Sequence, residues 1–323
     1  MSLGNRPTLP WRLRTRTLSL GARTLVMAVV NITPDSFSDG GSYLRTEDAL
    51  ARALTAIDEG ADILDLGAES TRPGSRAGGA GGTPAAPAVS EAEEQDRLLP
   101  VVEAILRERP GAVLSIDTYK ASTARAATAA GAEIINDVSG FTWDRQMAQV
   151  CADYAPGVIL SHTRGTPEEW AAQQPLAADA LMAEVRSGLA EALAAAHAAG
   201  IPTEAIVLDP GYGFGKRFEE NFVLLGRQAE LLELGRPLLA GLSRKSFLGR
   251  ALAPLHNGAD APAREREMAS LAALTAAVLH GASLMRVHAV RPAVEAIHIA
   301  DAILQASHGR TNQVSGASSQ GSG

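Results

Sequence analysis

From residue 24 onward the chain alternates between two kinds of segment. A short apolar run ends in a polar or glycine-bearing turn, and an Ala/Leu-rich stretch of helical periodicity follows. The apolar runs predict strands over 24–31, 63–66, 113–117, 133–136, 158–161, 206–209, 238–241 and 284–287. Helices are predicted over 46–59, 90–107, 176–199, 264–280 and 292–304. The second begins Ser90-Glu91-Ala92-Glu93, a capping box in which Ser90 caps and Glu93 reciprocates; Pro292 stands where a helix start tolerates proline. Before these repeats, weak alternation through Trp11, Leu13, Leu18 and Leu20 predicts a short hairpin.

Eight strand–helix repeats with no long all-β or all-α block point to an α/β protein, a (β/α)8 TIM barrel. An open doubly wound sheet is the rival that the repeats alone leave open. The barrel is expected to occupy residues 1–306 as a single domain, and the Ser/Gly-rich tail 307–323 to be disordered. One connection departs from the pattern. Residues 76–87, Arg-Ala-Gly-Gly-Ala-Gly-Gly-Thr-Pro-Ala-Ala-Pro, are too glycine-rich to hold one conformation and form an insert after the second strand.

Composition narrows the function. The 323 residues carry a net charge of −7 and only 4% aromatics, which argues against a general nucleic-acid binder and against base-stacking platforms. The best apolar run, from Leu25 to Val30, is far short of a membrane span, and the arginine-bearing N-terminus has no apolar signal core. A soluble, cytoplasmic protein without a membrane partner is expected. The single cysteine, Cys151, leaves no disulfide framework and no Cys cluster for zinc.

Polar residues gather where the strands end: Asn31, Thr71-Arg72, Asp117, Asn136, His162, Asp209, Ser243-Arg244-Lys245, and Arg286 with His288. In a barrel these ends converge on the face that carries active sites. Any one of them has a duller explanation as a cap or a surface charge; eight on one face do not. Asp117, Asn136 and Asp209 offer acceptors for a flat heterocycle bearing amino and ring N–H groups. Arg72, Lys245, Arg286 and His288 offer positive charge for a phosphate, and Asn31 a carbonyl oxygen of the kind Mg²⁺ accepts. The set suits a phosphorylated, nitrogen-rich ring.

Other motifs fail on spacing. Gly211-Tyr212-Gly213-Phe214-Gly215-Lys216 is neither a dinucleotide fingerprint nor a Walker loop, and Gly241-Leu242-Ser243-Arg244-Lys245 lacks the last glycine of a nucleophile elbow. No paired His/Cys spacing suggests a built-in zinc. His197, His280 and His298 are expected to be structural or surface residues, and Tyr119 and Trp143 packing residues.

At these strand ends the chain resembles the dihydropteroate synthase family. The matching motifs run from Val29-Val30-Asn31-Ile32-Thr33-Pro34-Asp35-Ser36-Phe37-Ser38-Asp39-Gly40-Gly41 through Asp65-Leu66-Gly67-Ala68-Glu69-Ser70-Thr71-Arg72-Pro73-Gly74, Ser115-Ile116-Asp117-Thr118 and Ile135-Asn136-Asp137-Val138-Ser139-Gly140. Leu208-Asp209-Pro210-Gly211-Tyr212-Gly213-Phe214-Gly215-Lys216, Ser243-Arg244-Lys245-Ser246-Phe247-Leu248-Gly249 and Arg286-Val287-His288 complete the series in the family's order. The resemblance implies a (β/α)8 barrel transferase, a homodimer and sulfonamide target, that joins 4-aminobenzoate to 6-hydroxymethyl-7,8-dihydropterin diphosphate. The products would be 7,8-dihydropteroate and pyrophosphate, in folate biosynthesis. It further implies that Asp117, Asn136, Asp209 and Lys245 hold the pterin, and that Asn31, Arg286 and His288 hold the diphosphate. Asn31 would also contact Mg²⁺. Phe37, Thr71, Arg72, Pro73, Phe214 and Ser243 would shape the aminobenzoate end, Thr71 also bordering the pterin diphosphate.

Two departures from the family pattern stand out. Ser161-His162-Thr163-Arg164-Gly165 replaces the common His-Met-Arg-Gly, so that Thr163 is expected where an apolar residue lies near the pterin, and the insert 76–87 lengthens a loop the family keeps shorter. Two other functions share parts of this pattern: a barrel domain passing a methyl group from methyltetrahydrofolate to a corrinoid, and a catalytically silent paralogue. The motifs 31–41 and 70–74 favour the synthase over the first, and intact Arg72, Lys245, Arg286 and His288 favour it over the second.

Overall fold

The computed structural model describes residues 6–32, 42–69 and 89–307. Ten strands are present among them. β1 (Leu9–Arg12) and β2 (Thr17–Leu20) form an antiparallel hairpin with Leu9 opposite Leu20. The other eight are β3 (Leu25–Asn31), β4 (Ile63–Gly67), β5 (Leu114–Asp117), β6 (Ile134–Asp137), β7 (Gly157–Ser161), β8 (Ile206–Asp209), β9 (Leu238–Ala240) and β10 (Ala282–Val287). They close into a parallel barrel in which β10 pairs with both β3 and β9, and this closure rules out the open sheet.

Helices alternate with the strands: α1 (Ser42–Asp58), α2 (Glu91–Glu108), α3 (Ala121–Ala129), α4 (Met147–Tyr154), α5 (Ala178–Ala198), α6 (Phe218–Arg227), α7 (Ser246–Ala251), α8 (Glu267–Leu279) and α9 (Val290–Ser307). The sequence pattern misses α3, α4, α6 and α7. These run only six to ten residues, too short for a 3.6-residue period to emerge from an Ala-rich background. Ser90 does cap α2 by accepting from Glu93 N, but Glu93 turns to Arg97 one turn on, so the expected reciprocal half of the capping box is absent. α9 starts at Val290, two residues before the expected Pro292. The proline still falls in the first turn, where its missing N–H breaks no intrahelical bond.

The strand period of two sorts residues between the two sides of the barrel wall. Outward-facing Val26, Ala28, Leu64, Leu66, Ile116, Ile135, Leu160 and Leu208 pack with the helices in one large cluster. Inward-facing Met27, Ile63, Val113, Ile134, Ile159, Val207, Leu239 and Leu284 form a second cluster, sealed from below by Trp11, Leu13 and Leu20 of the hairpin. Trp11 is fully buried and donates its ring N–H to the Ala205 carbonyl at 2.9 Å. The hairpin is therefore the floor of the barrel, opposite the face on which the strands end.

Candidate active site

Two residues further along most strands the side chain again points inward, and there the chemistry changes; on β3 the change comes at Asn31, after Val29. Ile63 is followed by Asp65, Ile134 by Asn136, Ile159 by Ser161, Val207 by Asp209, Leu239 by Gly241, and Leu284 by Arg286 and then His288. Val113 leads through Ser115 to Asp117. The inside of the barrel thus passes from apolar floor to polar mouth, because parallel strands in register bring equivalent positions to one level.

A pocket at this mouth is lined by Asp117, Asn136, Ser161, Asp209, Phe214, Ser243, Lys245, Arg286 and His288, with Val138 and Gly241. Sequence reasoning named eight of its side chains from type and position alone or from the family resemblance: Asp117, Asn136, Asp209, Lys245, Arg286, His288, Phe214 and Ser243. Asn31 ends β3 on the same face and is partly exposed. Phe37, Thr71, Arg72 and Pro73 lie outside the described residues, as does the insert 76–87.

Arg286 organises one wall. Its Nε donates to Asp65 Oδ2 and its Nη2 to Asp117 Oδ2, each at 2.6 Å. Burial pushes the Asp117 carboxyl up; Arg286 pulls it back, and Asp65 adds to the rise. Burial also works against the Arg286 charge, but the surrounding carboxylates more than offset it and its pKa rises. Burial likewise raises Asp209, which accepts the Gly211 N–H at 2.8 Å and feels the attraction of Lys245. Gly211 takes φ +71°, and a Cβ there would stand 1.9 Å from the His162 carbonyl oxygen. Only glycine lets this loop return under the end of β7 and reach Asp209.

Lys245 is held to about 8 by burial, with Asp209 and Asp117 favouring its charge and Arg286 opposing it. Its Nζ lies 3.8 Å from the centre of the Phe214 ring, which is itself stacked on Trp170. Lys216 is buried nearby and donates to the carbonyls of His162, Gly211 and Phe214, tying the end of β7 to the glycine-rich loop. His288 Nδ1 is 3.0 Å from Ser243 Oγ.

Three residues escaped the sequence reading. Asp65 is a fully buried acid inside the apolar run Ile63-Leu64-Asp65-Leu66, a signal that was available. Lys216 was present in the glycine-rich motif without a role. Ser161 lines the pocket, whereas Thr163 does not. Thr163 lies two residues past the end of β7, outside the strand's alternation; its Oγ1 donates to the Gly165 carbonyl, and it borders a neighbouring cleft. The expectation that Thr163 lies beside a ring in the central pocket is therefore corrected: the polar side chain of this segment that lines the pocket is Ser161. Tyr119 and Trp143 pack edge to face at 5.1 Å, as expected, and His280 bonds the Ala276 carbonyl of its own helix.

Residues 27–288 match the family model of pterin binding enzymes. The chain is 39% identical over 287 residues to the dihydropteroate synthase of Bacillus subtilis, covering 89% of this chain and 91% of that one. It is similar to the Xanthomonas albilineans dihydropteroate synthase solved with 4-aminobenzoic acid: 38% identity, TM-score 0.79, covering 92% of this chain and 99% of the other. The Burkholderia cenocepacia enzyme solved with 7,8-dihydropteroate gives 38% identity and TM-score 0.77, covering 94% and 99%.

Proposed function

The chain belongs to the dihydropteroate synthase family of pterin-binding enzymes, and from that premise we propose that it condenses 6-hydroxymethyl-7,8-dihydropterin diphosphate with 4-aminobenzoate. The observation that carries this is the pocket itself, where Asp117, Asn136 and Asp209 meet Lys245 and Arg286 around an opening of the barrel. The acceptors suit the amino and ring N–H groups of a pterin, and Lys245 its carbonyl oxygen. Asn31, Arg286 and His288 take the diphosphate. A guanidinium has five N–H donors, of which the two carboxylates use two. Phe214 and Ser243 border the aminobenzoate, and Phe37, Thr71, Arg72 and Pro73 complete its site.

In the reaction the C–O bond to the diphosphate breaks, its electron pair leaving on oxygen. The aminobenzoate nitrogen forms the new C–N bond to the methylene and gives up a proton to the released pyrophosphate or to water. Arg286 and His288 stabilise the charge that grows on the leaving group. Ser243 Oγ lies 3.0 Å from His288 Nδ1; in the tautomer that accepts there, the ring proton sits on Nε2. No covalent enzyme nucleophile is needed, and the barrel's main contribution is orientation.

Mg²⁺ fits this site. Among the described residues no three His, Cys, Asp or Glu side chains gather into a cage, while Asn31 provides one hard oxygen at the rim. That is the sparse protein ligation Mg²⁺ accepts when substrate phosphates supply the rest. When bound, it would neutralise phosphate charge.

A homodimer working in the cytoplasm completes the proposal. Exposed Ile299 and Ile303, one turn apart on α9, support a partner surface, and no helix among the described residues is long and apolar enough to cross a membrane. The test is mass detection of product. Dihydropteroate should form only when both substrates and Mg²⁺ are present; its absence with active substrates would refute the assignment.

A further inference from the structure

Asp65 plays no part in the reaction as described, yet it joins two residues that do. It is fully buried on the barrel axis side of β4. Its Oδ2 accepts from Arg286 Nε at 2.6 Å and from Asn136 Nδ2 at 3.2 Å. Paired with a guanidinium, this carboxylate is an acceptor, so the Asn136 amide must turn its NH₂ toward it. A flipped amide would set oxygen against oxygen. Fixing the nitrogen fixes the oxygen, and Asn136 lines the pocket.

We propose that Asp65 is a positioning residue that locks Asn136 with its carbonyl oxygen toward the ligand. The pocket then presents acceptors from Asp117, Asn136 and Asp209 together, and takes a ring edge that offers donors to all three. The idea rests on the pterin reading above and explains why a buried acid occupies a strand that is otherwise apolar. The same carboxylate sets the plane of Arg286, coupling the ring-binding wall to the phosphate-binding cation.

The test is an exchange of the pair, read by titration with 6-hydroxymethylpterin. Asp65→Asn frees the Asn136 amide to flip and should weaken binding about 10-fold or more. Asn136→Asp places two carboxylates together and should also lose binding. The double variant Asp65→Asn/Asn136→Asp restores a donor–acceptor pair of reversed polarity and keeps an acceptor facing the ligand. It should bind within about threefold of the wild type. A merely structural role for Asp65 gives no such rescue. Wild-type-like binding by Asp65→Asn, or a double variant no better than that single one, overturns the proposal. Failure of the wild-type protein to bind the pterin would instead refute the pterin reading. The amide orientation has its own readout in the free wild-type protein. The Asn136 side-chain NH₂ signal, assigned by its loss in Asn136→Asp, should be protected from hydrogen exchange, and solvent-fast exchange overturns the proposal even if the variants fail to fold.

Discussion

Asp209 is held ready for a partner: one carboxylate oxygen takes the Gly211 N–H, while the side chain lines the pocket against the pull of burial. Asp209→Asn keeps the shape and removes a charge-assisted contact worth roughly 1.5–3 kcal/mol. Pterin affinity should fall about 10- to 150-fold by calorimetry; a change below about twofold would remove Asp209 from the site. Lys245 supplies a pH dependence. Burial lowers its pKa to about 8, so it is charged below that pH and loses its proton above it. Pterin affinity should therefore decline as pH rises past about 8, and Lys245→Met should abolish that limb. Lys216, lowered by burial to about 7, is the competing source, and a limb that survives in Lys245→Met would belong to it. At this scale the sequence was legible wherever a polar residue ended a strand. It was less so one level deeper: Asp65 was hidden in mid-strand, and Thr163 was expected near the pterin because the point at which β7 gives way to a turn, after Ser161, is not visible in a five-residue run.

The hairpin and the catalytic mouth are separate elements with separate duties. Trp11 fills the floor and is fully buried, so Trp11→Ala should cost about 3–5 kcal/mol of stability. Pterin affinity, measured below the melting transition, should stay within about twofold, as expected for a change on the stability face of a barrel. A large loss of affinity would mean that the floor shapes the pocket. The segment 70–88 is bounded by a buried clasp: Lys120 Nζ reaches Glu69 Oε2 at 2.7 Å, Glu94 Oε2 at 3.1 Å and the Val89 carbonyl at 2.8 Å. Removing residues 77–86 leaves that clasp intact and roughly halves the length of chain between its ends, a shift of about 0.6 kcal/mol if that stretch closes as a flexible chain. Pterin affinity should be unchanged, and a marked loss would place the insert in the pocket. The long elements were legible because α2, α5 and α9 repeat their apolar stripe over four or more turns, whereas α3 and α7 do not last long enough to show one.

Barrel closure turns eight separate strand ends into one site, and this is why a list of polar residues scattered through the chain acquires chemistry. The architecture was legible from the repeats; closure itself was not, since pairing of β10 with β3 joins residues far apart in sequence. A binding order is expected as well: Asp117, Asn136 and Asp209 already line one pocket at the strand ends, whereas Phe37, Arg72 and Pro73 belong to the segments that follow β3 and β4 in the sequence and lie outside the described residues. Aminobenzoate should bind undetectably to the free protein and measurably once pterin and Mg-pyrophosphate are present. Equilibrium dialysis with labelled aminobenzoate measures this, and equal affinity under both conditions would show that the second site needs no partner. The most direct measurement is a crystal structure of the protein with bound pteroate. The account places the pterin ring among Asp117, Asn136 and Asp209, with its amino and ring N–H groups in hydrogen-bonding distance of all three. A ring found instead in the neighbouring cleft between His162, Thr142 and Glu184 of α5 would contradict it.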